Sequence, residues 1–96
     1  MKVYIAGKIT NNPNYKNEFE EAEKALKLQG YEVMTPHHMN TGFKQSEYWH
    51  VCKAMIDVCD TVYFLPTWED SKGSCFEMGY AEGKGKNINF MKEDEK

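Results

Sequence analysis

Four short runs of apolar and β-favouring residues, at 2–6, 31–34, 61–65 and 87–91, alternate with three longer stretches whose apolar residues recur at helical spacing. That βαβαβαβ order constrains the fold more than any other feature of the chain. Parallel neighbours need crossover connections, and these are right-handed, so the order predicts an α/β fold with a parallel sheet and helices on both faces. Ligands of such sheets bind outside the carboxyl ends of the strands, near the point where strand order reverses. Segments 7–14 and 66–73 are the loops placed there.

The punctuation of the chain supports this division. Gly7 closes the first strand. Asn12-Pro13 reads as an N-cap followed by proline at the first helical position, where its missing N–H costs nothing. Tyr15, Phe19, Ala22 and Leu26 then form an apolar stripe, and Gly30 is a natural C′ residue. Residues 35–44, with Pro36, His37, His38 and Gly42, read as a loop. Ser46 stands where it can cap a second helix, whose stripe is Tyr48, Cys52, Met55, Ile56 and Cys59. The run 61–65 is apolar almost throughout, as in a strand covered on both faces. A third helix is expected over 74–84, with Gly79 and Gly83 allowing close approach to the sheet. One domain over 1–91 and a charged tail over 92–96 complete the expectation.

Composition narrows the function. Ninety-six residues suit one domain, with a core small enough to gain from oligomerisation. The net charge of -3 argues against sequence-independent nucleic-acid binding, which needs cations to displace counterions. No apolar run is long enough for a membrane span or signal segment. Cys52, Cys59 and Cys75 are odd in number and lack C-x-x-C spacing, so no disulfide framework is expected and a reducing cytoplasm fits best.

The stretch from Leu65 to Ala81, LPTWEDSKGSCFEMGYA, carries the chemistry. It reads as a strand end, a polar turn and a helix start. Free N–H groups there, with the Ser71 and Ser74 hydroxyls, form a site for an anion. The helix dipole is expected to keep Glu77 ionised, as a nucleophile requires. Trp68 is available to stack on a flat base. The competing reading is a capping box, Ser74-x-x-Glu77, in which the glutamate only bonds back to the Ser74 N–H. On spacing alone, capping is the commoner role.

Tyr4-Ile5-Ala6-Gly7, Cys59-Asp60 and L-P-x-W-x-x-S-x-G-x-x-x-E-x-x-x-A through Ala81 resemble the nucleoside 2-deoxyribosyltransferase-like superfamily, closest to its short bacterial and phage branch. The resemblance spans nearly the whole chain. It implies a flavodoxin-like (Rossmann-type) three-layer sandwich with a four- to five-stranded parallel sheet, usually in a homo-oligomer, a dimer or larger, whose pockets a neighbouring subunit completes. It implies that Glu77 is the nucleophile, that the Tyr4 hydroxyl steadies it, and that Gly7 opens the loop along the sugar. Ser71 falls where the transferases carry aspartate and the related deoxynucleoside-monophosphate hydrolases carry a phosphate-contacting serine. The implied reaction cleaves or transfers the N-glycosidic bond of a 2′-deoxynucleoside or its 5′-monophosphate, with no metal or organic cofactor. Gly7, Lys8, Trp68, Asp70, Ser71, Gly73 and Ser74 are the candidate substrate contacts.

The chain departs from that pattern at Cys52, eight residues before Asp60, where the enzymes carry an aspartate that handles the departing base. Asp57, Glu69 and Asp70 are the nearby carboxylates in sequence. A binding protein for a nucleotide or nucleotide-like ligand, using the same pocket without turnover, is therefore the alternative. Those enzymes also continue past the last strand, whereas only a charged tail follows it here.

Other constellations are weaker. His37, His38 and His50 have no carboxylate or cysteine at ligand spacing, so no metal is expected. Cys52 and Cys59 fit a helix core, and Cys75 has no partner for thiol catalysis. After the first strand the sequence runs Gly7-Lys8-Ile9-Thr10, with neither the dinucleotide fingerprint nor a P-loop.

Overall fold

The structure is a computed structural model, described over residues 1–38 and 42–91. The middle of the predicted loop at 35–44 and the charged tail lie outside the described residues. Strands β1 (Lys2–Ala6), β2 (Glu32–Met34), β3 (Thr61–Phe64) and β4 (Asn87–Phe90) alternate with helices α1 (Tyr15–Leu28), α2 (Gln45–Val58) and α3 (Lys72–Gly83). Two single 3-10 turns, Pro36–His38 and Trp68–Asp70, follow β2 and β3. The sheet has four strands in the order β2-β1-β3-β4, every pair parallel. Strand order reverses between β1 and β3, so the switch point lies where the sequence placed it.

Alternation along β1 divides the core. Tyr4 and Ala6 face one side, with Val62, Phe64, Cys52, Ile56 and Ala81. Val3 and Ile5 face the other, packed on Phe19, Ala22 and Leu26 of α1. The stripe predicted for α1 is thus the face it buries. Each fully buried Phe or Ile contributes about 1.5–3 kcal/mol through removal from water. Phe19, at zero exposure, anchors α1.

The helix ends show where local signals were ambiguous. Asn12-Pro13 does not start α1. Asn12 spends its side chain on a turn, donating to Lys8 O and Glu18 Oε1 at 2.8 Å each and accepting from Asn14 N–H, and α1 begins at Tyr15. Gly30 does end the helix, at φ 94°, with Gly30 N–H bonded to Lys27 O and Tyr31 N–H to Leu26 O, a Schellman motif. In α2 the cap is Lys44 rather than Ser46, its N–H satisfied by Glu47 Oε1 at 2.6 Å. Gly79 and Gly83 are exposed, with open space where a Cβ would stand, so they do not mediate the packing of α3 on the sheet.

Candidate active site

The carboxyl ends of β1 and β3 open into a cleft of about 1010 Å³, a volume suited to a ligand of nucleotide size. Its walls come from the loop after β1, the turn after β3, the start of α3 and one face of α2. Gly7 is required where the first loop passes β3. A Cβ there would lie 2.9 Å from Leu65 Cδ1 and 3.1 Å from its Cβ, and Leu65 is itself buried. One residue on, Lys8 N–H donates to Thr67 Oγ1 at 3.2 Å, tying the two loops together.

Helix α3 starts at Lys72, two residues earlier than the sequence suggested, because Ser71 rather than Ser74 caps it: Ser71 Oγ accepts the Ser74 N–H at 3.1 Å. This shift overturns the capping box. Ser74 becomes the third helical residue and Glu77 the sixth, too far from the end to bond back. The Glu77 side chain instead points inward, 6% exposed, and accepts the Tyr4 hydroxyl at 2.6 Å. Ser74 Oγ is buried and has no hydrogen-bond partner among the described residues, although it lines the cleft.

The electrostatics differ from expectation as well. In the second turn Glu77 feels burial more than the helix dipole. Desolvation pushes its carboxyl up to about 7, against the Tyr4 and Cys52 hydrogen bonds that hold it down. It is therefore poised near neutrality and not simply kept ionised. Burial and the adjoining Glu77 charge raise the Tyr4 phenol well above its ordinary value, so it remains a donor. Burial pushes the Cys52 thiol up to about 11, so it too stays protonated.

Gly7, Lys8, Asp70, Ser71, Gly73, Ser74 and Glu77 all line this cleft, and Tyr4 lies beneath it on β1. Trp68 does not join them. Its ring packs against Phe64 at 5.2 Å and Phe90 at 5.7 Å, closing the core behind the turn, and is not placed to stack on a ligand in the cleft. Asp57 is engaged elsewhere, accepting from Tyr80 Oη at 2.7 Å, and Asp60 accepts the Lys2 N–H at 2.9 Å. Cys52, which its helical spacing marks as core and the resemblance marks as the position of an aspartate, is buried and lines the cleft, where its thiol interacts with the Glu77 carboxyl. The signal was its position eight residues before Asp60. Trp49 and Phe76, stacked at 4.2 Å on the α2 and α3 walls, gave no such signal, since neither falls on a periodic stripe.

The histidine loop also departs from expectation. His37 is buried and His38 exposed, and α1 brings Glu23 to both, with Glu23 Oε1 4.0 Å from His37 Nε2 and 3.3 Å from His38 Nε2. The carboxylate absent at ligand spacing in sequence is supplied by packing.

The chain is thus a parallel α/β sheet covered on both faces, with the buried Glu77 carboxylate at its switch point. Residues 1–90 match the family described as "Domain of unknown function (DUF4406)", and the chain belongs to that family. No curated sequence matches it. Among solved structures, the chain is similar to a 2-desoxiribosyltransferase from Leishmania mexicana, at TM-score 0.75 and 23% identity over 94% of this chain. It spans 63% of the length of that protein. It is similar to a CMP N-glycosidase of Clostridium botulinum, at TM-score 0.72 and 22% identity, over 94% of this chain and 70% of the other. A 2-deoxyribosyltransferase from Bacillus psychrosaccharolyticus gives TM-score 0.74 and 20% identity, over 94% and 71%. The fold is that of these proteins. Among the described residues, no helix is long and apolar enough to cross a membrane.

Proposed function

We propose that the protein cleaves or transfers the N-glycosidic bond of a 2′-deoxynucleoside or its 5′-monophosphate, with Glu77 as nucleophile. The observation that carries this reading is the Glu77 carboxylate, buried at the cleft and held by the Tyr4 hydroxyl at 2.6 Å. A purely structural glutamate has no reason to bear that desolvation.

In the first step a Glu77 oxygen forms a bond to C1′ as the C1′–N bond breaks, through an oxocarbenium-like transition state. The bonding pair leaves with the base nitrogen, which takes a proton. Water, or the nitrogen of a second base, then attacks C1′ and releases the carboxylate. Tyr4 donates to the carboxylate and orients it, and the Cys52 thiol lies beside it, while the high proton affinities of both groups keep them from competing for its role. Asp70 at the rim is the carboxylate available to manage the base. The Ser71 hydroxyl, whose oxygen takes the Ser74 N–H, retains its own proton to donate to a sugar or phosphate oxygen. Lys8, the helix start at Gly73 and the unpartnered Ser74 hydroxyl add to that polar wall. The relatives in fold, named as deoxyribosyltransferases and a CMP N-glycosidase, support the bond class.

Phe43 and Phe76, more than half exposed beside the cleft, support a homo-oligomer in which a neighbour covers the mouth. The three cysteines are free thiols, in keeping with a cytoplasmic setting. One observation favours a second reading, a nucleotide-binding protein without turnover: the group beside Glu77 is a thiol that stays protonated up to about pH 11, a poor acid for a departing base. Chromatography for free base separates the two, since a binder raises its melting temperature with nucleotide and releases none.

A further inference from the structure

At the rim of the same cleft, the 3-10 turn Pro36–His38 folds back onto α1, with the His37 ring 5.5 Å from that of Phe19. We propose that Glu23, His37 and His38 form a binding site for a divalent metal ion of the zinc class, which pins this turn to the helix. One ligand atom from each of the three residues lies within 4.8 Å of the other two, a separation that a modest rotamer adjustment closes onto one ion. Imidazole and carboxylate are the donors that zinc, cobalt and nickel prefer.

The decisive observation is His37. Its ring is buried, its Nε2 has no hydrogen-bond partner among the described residues, and that nitrogen faces the Glu23 carboxylate at 4.0 Å, beyond hydrogen-bond reach. A buried unpaired ring nitrogen is costly. Its other nitrogen, Nδ1, lies 2.6 Å from Thr35 Oγ1. With the proton on Nδ1 and donated to Thr35, Nε2 presents a lone pair, which is the arrangement that orients metal-bound histidines.

The remaining donors suit the same task. The His38 ring is stacked on that of His37 at 3.8 Å, with Nε2 3.3 Å from the same carboxylate oxygen. Glu23 gives its other oxygen to Lys27 at 2.8 Å, so Oε1 is the one directed at the histidines. Lys16 and Glu20, the other charges that act on His37, oppose one another. Three protein ligands leave a coordination position for water on the exposed His38 side. Because Pro36 and His37 also line the cleft, a bound ion would stiffen that wall; the site itself rests on none of the N-glycosidic reading.

The test is calorimetric titration of the tag-free, chelator-treated chain with Zn²⁺ at pH 7.5. One ion per chain is expected, at micromolar affinity or tighter, with a raised melting temperature. His38→Ala, at an exposed position that does not threaten folding, and Glu23→Gln each weaken binding by at least a hundredfold. Thr35→Val, which removes only the partner of Nδ1, weakens it about 10–100-fold. His50→Ala is the matched control and leaves affinity unchanged. Absence of Zn²⁺ binding overturns the proposal, as does binding that His38→Ala and Glu23→Gln leave unaltered.

Discussion

Tyr4, on the central strand, donates its hydroxyl to Glu77 Oε2 at 2.6 Å across 73 residues of sequence, and both side chains are buried. The pair joins the first strand to the third helix beneath the cleft. Hydrogen bonds to an ionised group contribute about 1.5–3 kcal/mol, roughly tenfold to a hundredfold in an equilibrium or rate. Tyr4→Phe keeps the ring and removes only the donor. Base release at pH 7 should fall by about that factor, and the rising limb of the pH profile should move upward, because a hydrogen bond that favours the charged form is lost. A profile that stays in place, measured on folded protein, would show that the tyrosine does not act on Glu77.

The same carboxyl ties activity and stability to pH in opposite directions. Glu77 titrates near 7 in the folded chain against an ordinary 4.5, so the folded state binds the extra proton between those values. Stability is then full below about pH 4.5 and declines as pH rises through about 7, by about 3 kcal/mol for this group. Activity needs the ionised form and rises over the same window. Glu77→Gln abolishes both dependences: inactive, but flatter in stability from pH 5 to 8 and more stable than the parent at pH 8. Denaturant unfolding of both proteins at three pH values reads this directly.

Cys52→Asp restores the residue type that the resemblance places eight residues before Asp60. Two carboxyls sharing one pocket cannot both ionise freely, so one proton is retained near neutrality and becomes available to the departing base. Base release should increase about tenfold or more, the range in which general acids act. A loss of activity in a folded variant would assign that task to Asp70 or another group.

Gly7→Ala tests the close approach of the first loop to Leu65. A Cβ at 2.9 Å from Leu65 Cδ1 forces the loop or the core to yield. Overpacking of this kind costs about 1–3 kcal/mol. The chain should lose that stability and bind ligand less well, since Lys8 moves with the loop. An unchanged melting temperature would show that the loop relaxes freely.

The fold was legible in the sequence where period and punctuation agreed. The four strands, the α1 stripe from Tyr15 to Leu26 and the Gly30 terminus all appear where the pattern put them. Helix starts were less legible because asparagine, serine and proline serve turns as readily as caps. Asn12 caps a turn, and Ser71 wins the cap from Ser74. That two-residue shift is what hid the Glu77 environment: in sequence, Ser74-x-x-Glu77 looks like a box at a helix end, whereas in space it is a second-turn carboxylate under α2. Trp68 looked free beside a polar turn, but the aromatic surface of Phe64 and Phe90 claims it. Glu23 and the histidines, fourteen and fifteen residues apart, meet only because α1 packs over the end of β2.

The measurement that tests the central claim most directly is chromatographic detection of free base. Purified protein and Glu77→Gln are incubated with each 2′-deoxynucleoside and each 5′-monophosphate, with and without an acceptor base. Release or exchange by the parent that disappears in Glu77→Gln is the predicted result. Release that persists in Glu77→Gln, or none from any substrate at high enzyme concentration and long times, would contradict the assignment of Glu77 as a glycosyl-accepting nucleophile for these substrates.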